Sequence, residues 1–195
     1  ACKTLAEGVV LVRAVEKSKR IYMFAENYPY MVFNQEMRRL YQAGEIGEVR
    51  YAEGEYNHPH SPAGYARLSP GLGHWRNHLP STYYCTHALA PIMYVTDTMP
   101  VQVNALSIAD PEQEKRYVRV GDPGSVILCR LNNGAVARLF GLHLPGNSVY
   151  YRFHGTRGMM ESVRGQNAVH IVHEEWDLRP GEHMDKVYRP EFPEH

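Results

Sequence analysis

Four short stretches of the chain carry side chains that handle protons and hydroxyls: Glu26-Asn27-Tyr28, Tyr56 with His58, Trp75-Arg76, and Tyr83 followed by His87. A neutral imidazole accepts a proton near neutral pH, and a tyrosine hydroxyl donates a hydrogen bond to an oxyanion, so a Tyr/His/His set suits proton transfer. Each residue also has a structural reading. His87, at the mouth of an apolar run in "STYYCTHALAP", fits a hydrogen-bonded core histidine. Tyr56 and His58 fit the solvent side of a strand, and Trp75 fits a staple holding a surface loop.

Histidine pairs at His58/His60, His74/His78 and His170/His173 invite comparison with metal sites. Only His74 and His78 have the i, i+4 spacing of a helical pair. No helix is predicted there, Pro80 follows closely, and the glutamate of HExxH is missing, so no metal is assigned. The sequence contains no GxGxxG, P-loop or GxSxG, and the glycines at Gly71 and Gly73 do not follow a strand.

The elements that would position these residues are legible from periodicity. Leu5, Val9, Val12 and Val15 predict a helix near the start, and the apolar Ile21–Asn27 predicts a short buried strand after it. Pro29 marks a loop. "NQEMRRLYQAGEIGE" predicts a second helix with Met37, Leu40 and Tyr41 on one face and Gly44 as its stop. From Val49 the period changes to two, predicting a strand that ends near Tyr56 and His58. Residues 58–82 read as a long loop of the kind that carries function. A short helix is expected around Ala88–Tyr94, then strands at "VQVNALSI", "SVILCRL", "AVARLFGL", "SVYYRFHG" and "NAVHIVH". The Asn-Asn-Gly between the second and third of these predicts a hairpin, because those residues tolerate positive φ. The tail from Glu174 is charged, proline-rich and aperiodic. The expected fold class is α+β: a predominantly antiparallel open sheet with helices on one face, preceded by a helix–strand unit. Strand ends then place Glu26, Asn27, Tyr28, Tyr56 and His58 where sites usually assemble.

The chain has 195 residues with 21 basic and 21 acidic side chains, a net charge of zero that argues against nucleic acid as a partner. No apolar run approaches the ~20 residues that span a bilayer, so no membrane partner is expected. Three widely spaced cysteines predict a reduced, cytoplasmic protein. The chain's 14 tyrosines and 11 histidines suit polar pockets and interfaces.

In linear order, "AENYPYMVFNQEMRRLYQAGEIGEVRYAEGEY" and "GTRGMMES" resemble the second half of a Gfo/Idh/MocA-family oxidoreductase, where "EN", "GxIGE", "EGEY" and "GTKGxxE" recur. Within that family, "ENYPY", "EGEYNH", "HWRNH" and "YYCTHALAP" are similar to the NAD-dependent glycosidases of the α-N-acetylgalactosaminidase type. Here Ala88 and Ala90 stand for glycines, Cys85 for proline, and "PHSP" follows His58 in place of "DLR". The dehydrogenase pattern "DxGxHxxD" is altered too, with Tyr83 and Ala90 at its aspartate positions.

The resemblance implies residues 1–27 as the tail of a Rossmann-type dinucleotide-binding domain. It implies residues 28–195 as a C-terminal substrate-binding and oligomerisation domain, incomplete at its end. It implies NAD or NADP as cofactor in the complete protein, although the Gly-rich turn and Lys-Pro pair that hold it are not in this sequence. Tight NAD binding by this chain alone is therefore not expected. The implied activity is hydride transfer at a sugar or polyol hydroxyl, or alternatively glycoside cleavage by transient oxidation at C3 and elimination. By that resemblance His87, Tyr56 and His58 are catalytic, Glu26, Tyr28, Trp75, Arg76 and Tyr83 bind substrate, and Asn27 meets the cofactor. A rival expectation is a module without chemistry. The apolar alternation of "VILCRL" and "AVARLF" on the open sheet face would then serve a homo-oligomer.

Overall fold

Thr4 opens the first helix, Leu5–Lys17 (α1), with a reciprocal cap: its hydroxyl accepts from Glu7 N–H while the Glu7 carboxylate accepts from the Thr4 N–H. The predicted helix is therefore present, but none of its residues is buried. The predicted strand over Ile21–Asn27 does not form. The computed structural model describes residues 2–112 and 119–191, and among these no strand pairs with that segment. Ile21 is 98% exposed, and Met23 and Phe24 are also exposed. A lone extended segment leaves its backbone groups without ladder partners, so apolar composition alone does not make it a strand.

Phe33, Met37 and Leu40 recur at helical spacing and form the buried stripe of the second helix, Val32–Gln42 (α2). Gly44 and Gly47, at φ of 77° and 67°, turn the chain out of α2. The strand that follows, Tyr51–Asn57 (β1), buries Ala52, Gly54 and Tyr56 on one face and leaves Tyr51, Glu53 and Glu55 on the other.

Residues 58–82 are not an irregular loop. Ser61 caps a helix over Pro62–Leu68 (α3), with proline at the first helical position where its missing N–H costs nothing. Two 3₁₀ turns follow at Trp75–His78 and Ser81–Tyr84. Buried Asn77 ties the segment together, donating to the carbonyls of Ser69 and Gly71 and accepting from the Ser69 hydroxyl at 2.6 Å. Next comes the helix Thr86–Thr96 (α4), longer than expected and ended by Asp97 in the left-handed region.

The remaining strands are Pro100–Ser107 (β2), Gly124–Leu131 (β3), Val136–Leu142 (β4), Ser148–His154 (β5), Gly158–Ser162 (β6), Val169–His173 (β7) and Asp185–Tyr188 (β8). The last lies in the tail that shows no periodicity. Gly134, at φ 87°, makes the β3–β4 hairpin as the Asn-Asn-Gly signal predicts. Among the described residues the strands number eight and form one sheet in the order β2-β3-β4-β1-β5-β6-β7-β8. Every pairing is antiparallel except β1 with β4, so the sheet is predominantly antiparallel and the fold is α+β. α2 and α4 cover one face, where Met37, Ile92 and Val95 share one buried cluster with Leu139, Tyr151, Phe153 and Met160 of the sheet.

Candidate functional site

Two close approaches place α4 on the sheet. The first is at Gly54, where a β-carbon would fall 2.0 Å from the Ala88 carbonyl oxygen. Only glycine lets the helix lie this near β1. The second concerns Pro91 inside α4, which has no N–H for the carbonyl four residues back. That carbonyl belongs to His87, and the Tyr151 hydroxyl donates to it instead at 2.5 Å. The first turn of α4 is thereby pinned to β1 and β5, where Gly54 and Tyr151 are register partners, and His87 lies beside Tyr56.

His87 Nδ1 lies 2.6 Å from Glu26 Oε1, with both side chains nearly buried. The same carboxylate oxygen accepts from the Tyr28 N–H. An Nδ1–H donated to Glu26 leaves Nε2 as the lone-pair nitrogen, and it faces the Tyr84 hydroxyl at 3.2 Å. Aromatic rings enclose the imidazole: Tyr28 at 4.1 Å, Tyr56 at 4.7 Å and Tyr84 at 4.9 Å between centroids. Burial, then the neighbouring Tyr28 and Tyr84 phenols, holds the Tyr56 hydroxyl well above the ordinary tyrosine range. It stays protonated and can only donate to an oxyanion.

Tyr56 and Tyr84 also form part of the wall of a cavity of about 430 Å³. Its other walls include His58, His60, Tyr65, Trp75, Arg76, Tyr83, Arg119 and His143. Of the residues singled out from sequence, Glu26, Tyr28, Tyr56 and His87 meet in one cluster. His58, Trp75, Arg76 and Tyr83 line the adjoining cavity. Asn27 stands apart, exposed, with its carbonyl accepting from the Tyr30 N–H.

Several cavity residues escaped the sequence reading as site candidates. Tyr84 and His60 lie within stretches that had been singled out. His143 and Arg119 carried no local signal. His143 follows β4, and only the parallel β1–β4 register, which sets Asn57 beside Leu142, brings it next to His58. Its Nδ1 sits 3.1 Å from the His58 carbonyl oxygen.

Away from the cavity, Glu45, His173 and Glu182 bring ligand atoms within 4.8 Å of one another. The ligand atoms of Glu182 and His173 are already engaged. Arg157 pairs with Glu182 at 3.2 Å, and the two ring nitrogens of His173 lie 3.0 and 3.1 Å from the carbonyl oxygens of His183 and Glu45. The three cysteines are free, and among the described residues no helix is long and apolar enough to cross a membrane.

Residues 34–161 match the GFO/IDH/MocA C-terminal domain. No curated protein matches the chain. Among solved structures, it is similar to an inositol dehydrogenase homolog from Azotobacter vinelandii, complexed with NADH and myo-inositol. The identity is 17% and the TM-score 0.74, over 96% of this chain and 47% of that one. It is similar also to levoglucosan dehydrogenase in complex with NADH and levoglucosan, at 19% identity and a TM-score of 0.71, over 95% and 51%. An aldose-aldose oxidoreductase from Caulobacter crescentus complexed with glycerol gives 18% and 0.69, over 98% and 54%. At these identities the likeness is one of fold. The chain spans about half the length of the structures it matches.

Proposed function

Because the chain belongs to the GFO/IDH/MocA family of oxidoreductases, we propose that it is the substrate-binding and catalytic half of an enzyme moving a hydride between a sugar or polyol carbon and NAD or NADP. The observation that carries this reading is the His87–Glu26 pair set against Tyr56 and Tyr84, which form part of the wall of a polar, aromatic cavity. His87 Nε2 takes the proton from the substrate hydroxyl, and Glu26 steadies the imidazolium through Nδ1–H. Tyr56 donates to the same oxygen, His58 and Tyr28 hold neighbouring hydroxyls, and Tyr83 and Arg76 meet the far end. Trp75 offers its ring face to the sugar.

The dinucleotide's diphosphate does not fit the start of α1, since the Glu7 carboxylate already occupies that helix N-terminus. The reacting end fits better, at exposed Asn27 beside Glu26. A nicotinamide held there would supply the hydride acceptor. On this reading residues 1–27 belong to a dinucleotide-binding domain, residues 28–195 form the substrate domain, and the apolar side chains left open on α1 and at Ile21 and Phe24 pack against the rest of the first. The open sheet face, with Leu106 and Leu128 exposed, serves a homo-oligomer.

The test is turnover by the complete protein with NAD⁺ or NADP⁺ and a panel of sugars and polyols. His87→Ala is expected to cut kcat by roughly 10²- to 10⁴-fold. Full turnover in that variant would remove the role given to His87. The glycosidase alternative would show as release of nitrophenol from aryl glycosides with no net nicotinamide reduction. A recognition module without chemistry would bind sugar by calorimetry and reduce no nicotinamide.

A further inference from the structure

The cavity beside His87 is cationic on one side. Arg76 and Arg119 line it together with His58, His60 and His143, and no described carboxylate is part of its wall. The carboxylates on neighbouring segments are engaged elsewhere, Glu26 with His87 and Asp122 with the Ser81 N–H at 2.9 Å. Neither arginine has an ion-pair partner among the described residues.

Arg119 is the more telling of the two. Its Nε is buried with no hydrogen-bond partner, and one terminal nitrogen reaches the Leu79 carbonyl only at 3.4 Å. Its guanidinium lies 5.8 Å from the Tyr65 ring, and that of Arg76 lies 5.9 Å from the Trp75 ring. A buried donor left unpaired is costly, and an oxyanion is the acceptor a guanidinium fork matches best. Burial and the surrounding cations, Arg119 foremost among them for His143, lower the basicity of His60 and bring His143 down to about 4. Neutral imidazoles beside two fixed positive charges form a wall that attracts an anion without repelling the rest of a sugar.

Taking the site to be the sugar site proposed above, we infer that its substrate carries an oxyanionic group, a carboxylate or a phosphate, held by Arg119 and Arg76 at the end of the cavity away from His87.

Calorimetry on the complete protein with D-glucuronate, D-glucose 6-phosphate and D-glucose tests this, with NAD⁺ or NADP⁺ reduction followed in parallel. At least one anionic sugar should bind on the order of 10- to 100-fold tighter than glucose. Which of the two does so tells carboxylate from phosphate. Arg119→Gln should abolish that preference and leave glucose affinity unchanged. Arg76→Gln, at an exposed position, should reduce the preference without a fold defect, and added salt should weaken the wild-type protein's grip on the anion alone. Equal affinity for all three sugars, or an anion preference that survives both Arg119→Gln and Arg76→Gln, overturns the inference. Anion-selective binding with no nicotinamide reduction by any sugar overturns the oxidoreductase reading and leaves the anion site standing. Reduction by neutral sugars with no anion preference does the reverse.

Discussion

Gly54 and Ala88 touch through a gap that admits no side chain: a β-carbon on Gly54 would sit 2.0 Å from the Ala88 carbonyl oxygen. Because the contact is with backbone, a neighbouring rotamer cannot relieve it. Gly54→Ala should push α4 off β1, costing about 3 kcal/mol of stability, and separate His87 from Tyr56. Thermal unfolding of the variant checks the first effect and turnover the second. An unchanged melting temperature would show that α4 rides on the sheet more loosely than this.

Tyr151→Phe removes the donor that replaces the missing N–H of Pro91 at the His87 carbonyl. The orphaned buried carbonyl should cost about 1–3 kcal/mol. Substituting Pro91→Ala in the same chain restores a helical donor, so the double variant should regain part of that loss in a denaturant melt.

His143 titrates near pH 4 in the folded chain, against an ordinary histidine value of 6.5, chiefly because it is buried. The unfolded chain therefore binds more protons between those values. Stability should be full above about pH 6.5 and fall as the pH drops towards 4, by roughly 2–3 kcal/mol from this residue. Denaturant midpoints measured across that window should show the slope, and His143→Gln should flatten it.

Leu106 and Leu128 stand exposed on adjacent strands of the open sheet face. If that face joins copies of the complete protein, Leu106→Glu with Leu128→Glu should reduce its sedimentation coefficient to that of a smaller assembly and leave the circular dichroism spectrum intact.

Local pattern was enough for the elements that contain their own cause. The apolar stripe of α2, the Asn-Asn-Gly turn and the alternation in β1 are all visible in a dozen residues or fewer. It misled where stability depends on a neighbour. Ile21–Asn27 has the composition of a buried strand but no strand to join among the described residues, and β8 has almost no pattern yet is held by pairing with β7. The site divides the same way. Glu26 reaches the cluster from a segment that is not the expected strand, whereas Tyr56 and His87 were legible because they lie at the ends of elements that form. His143 was not, because its place next to His58 follows from a parallel register between strands far apart in sequence.

That same register dictates an order of assembly. β1 is an early strand of the chain, yet both of its neighbours, β4 and β5, come much later, with Asn57 flanked by Leu142 and Ser148. A growing polypeptide must therefore keep this segment unpaired until the second half of its domain has left the ribosome. So long-range a pairing makes folding slow and leaves a nascent, sticky edge for chaperones to shield until β4 and β5 arrive.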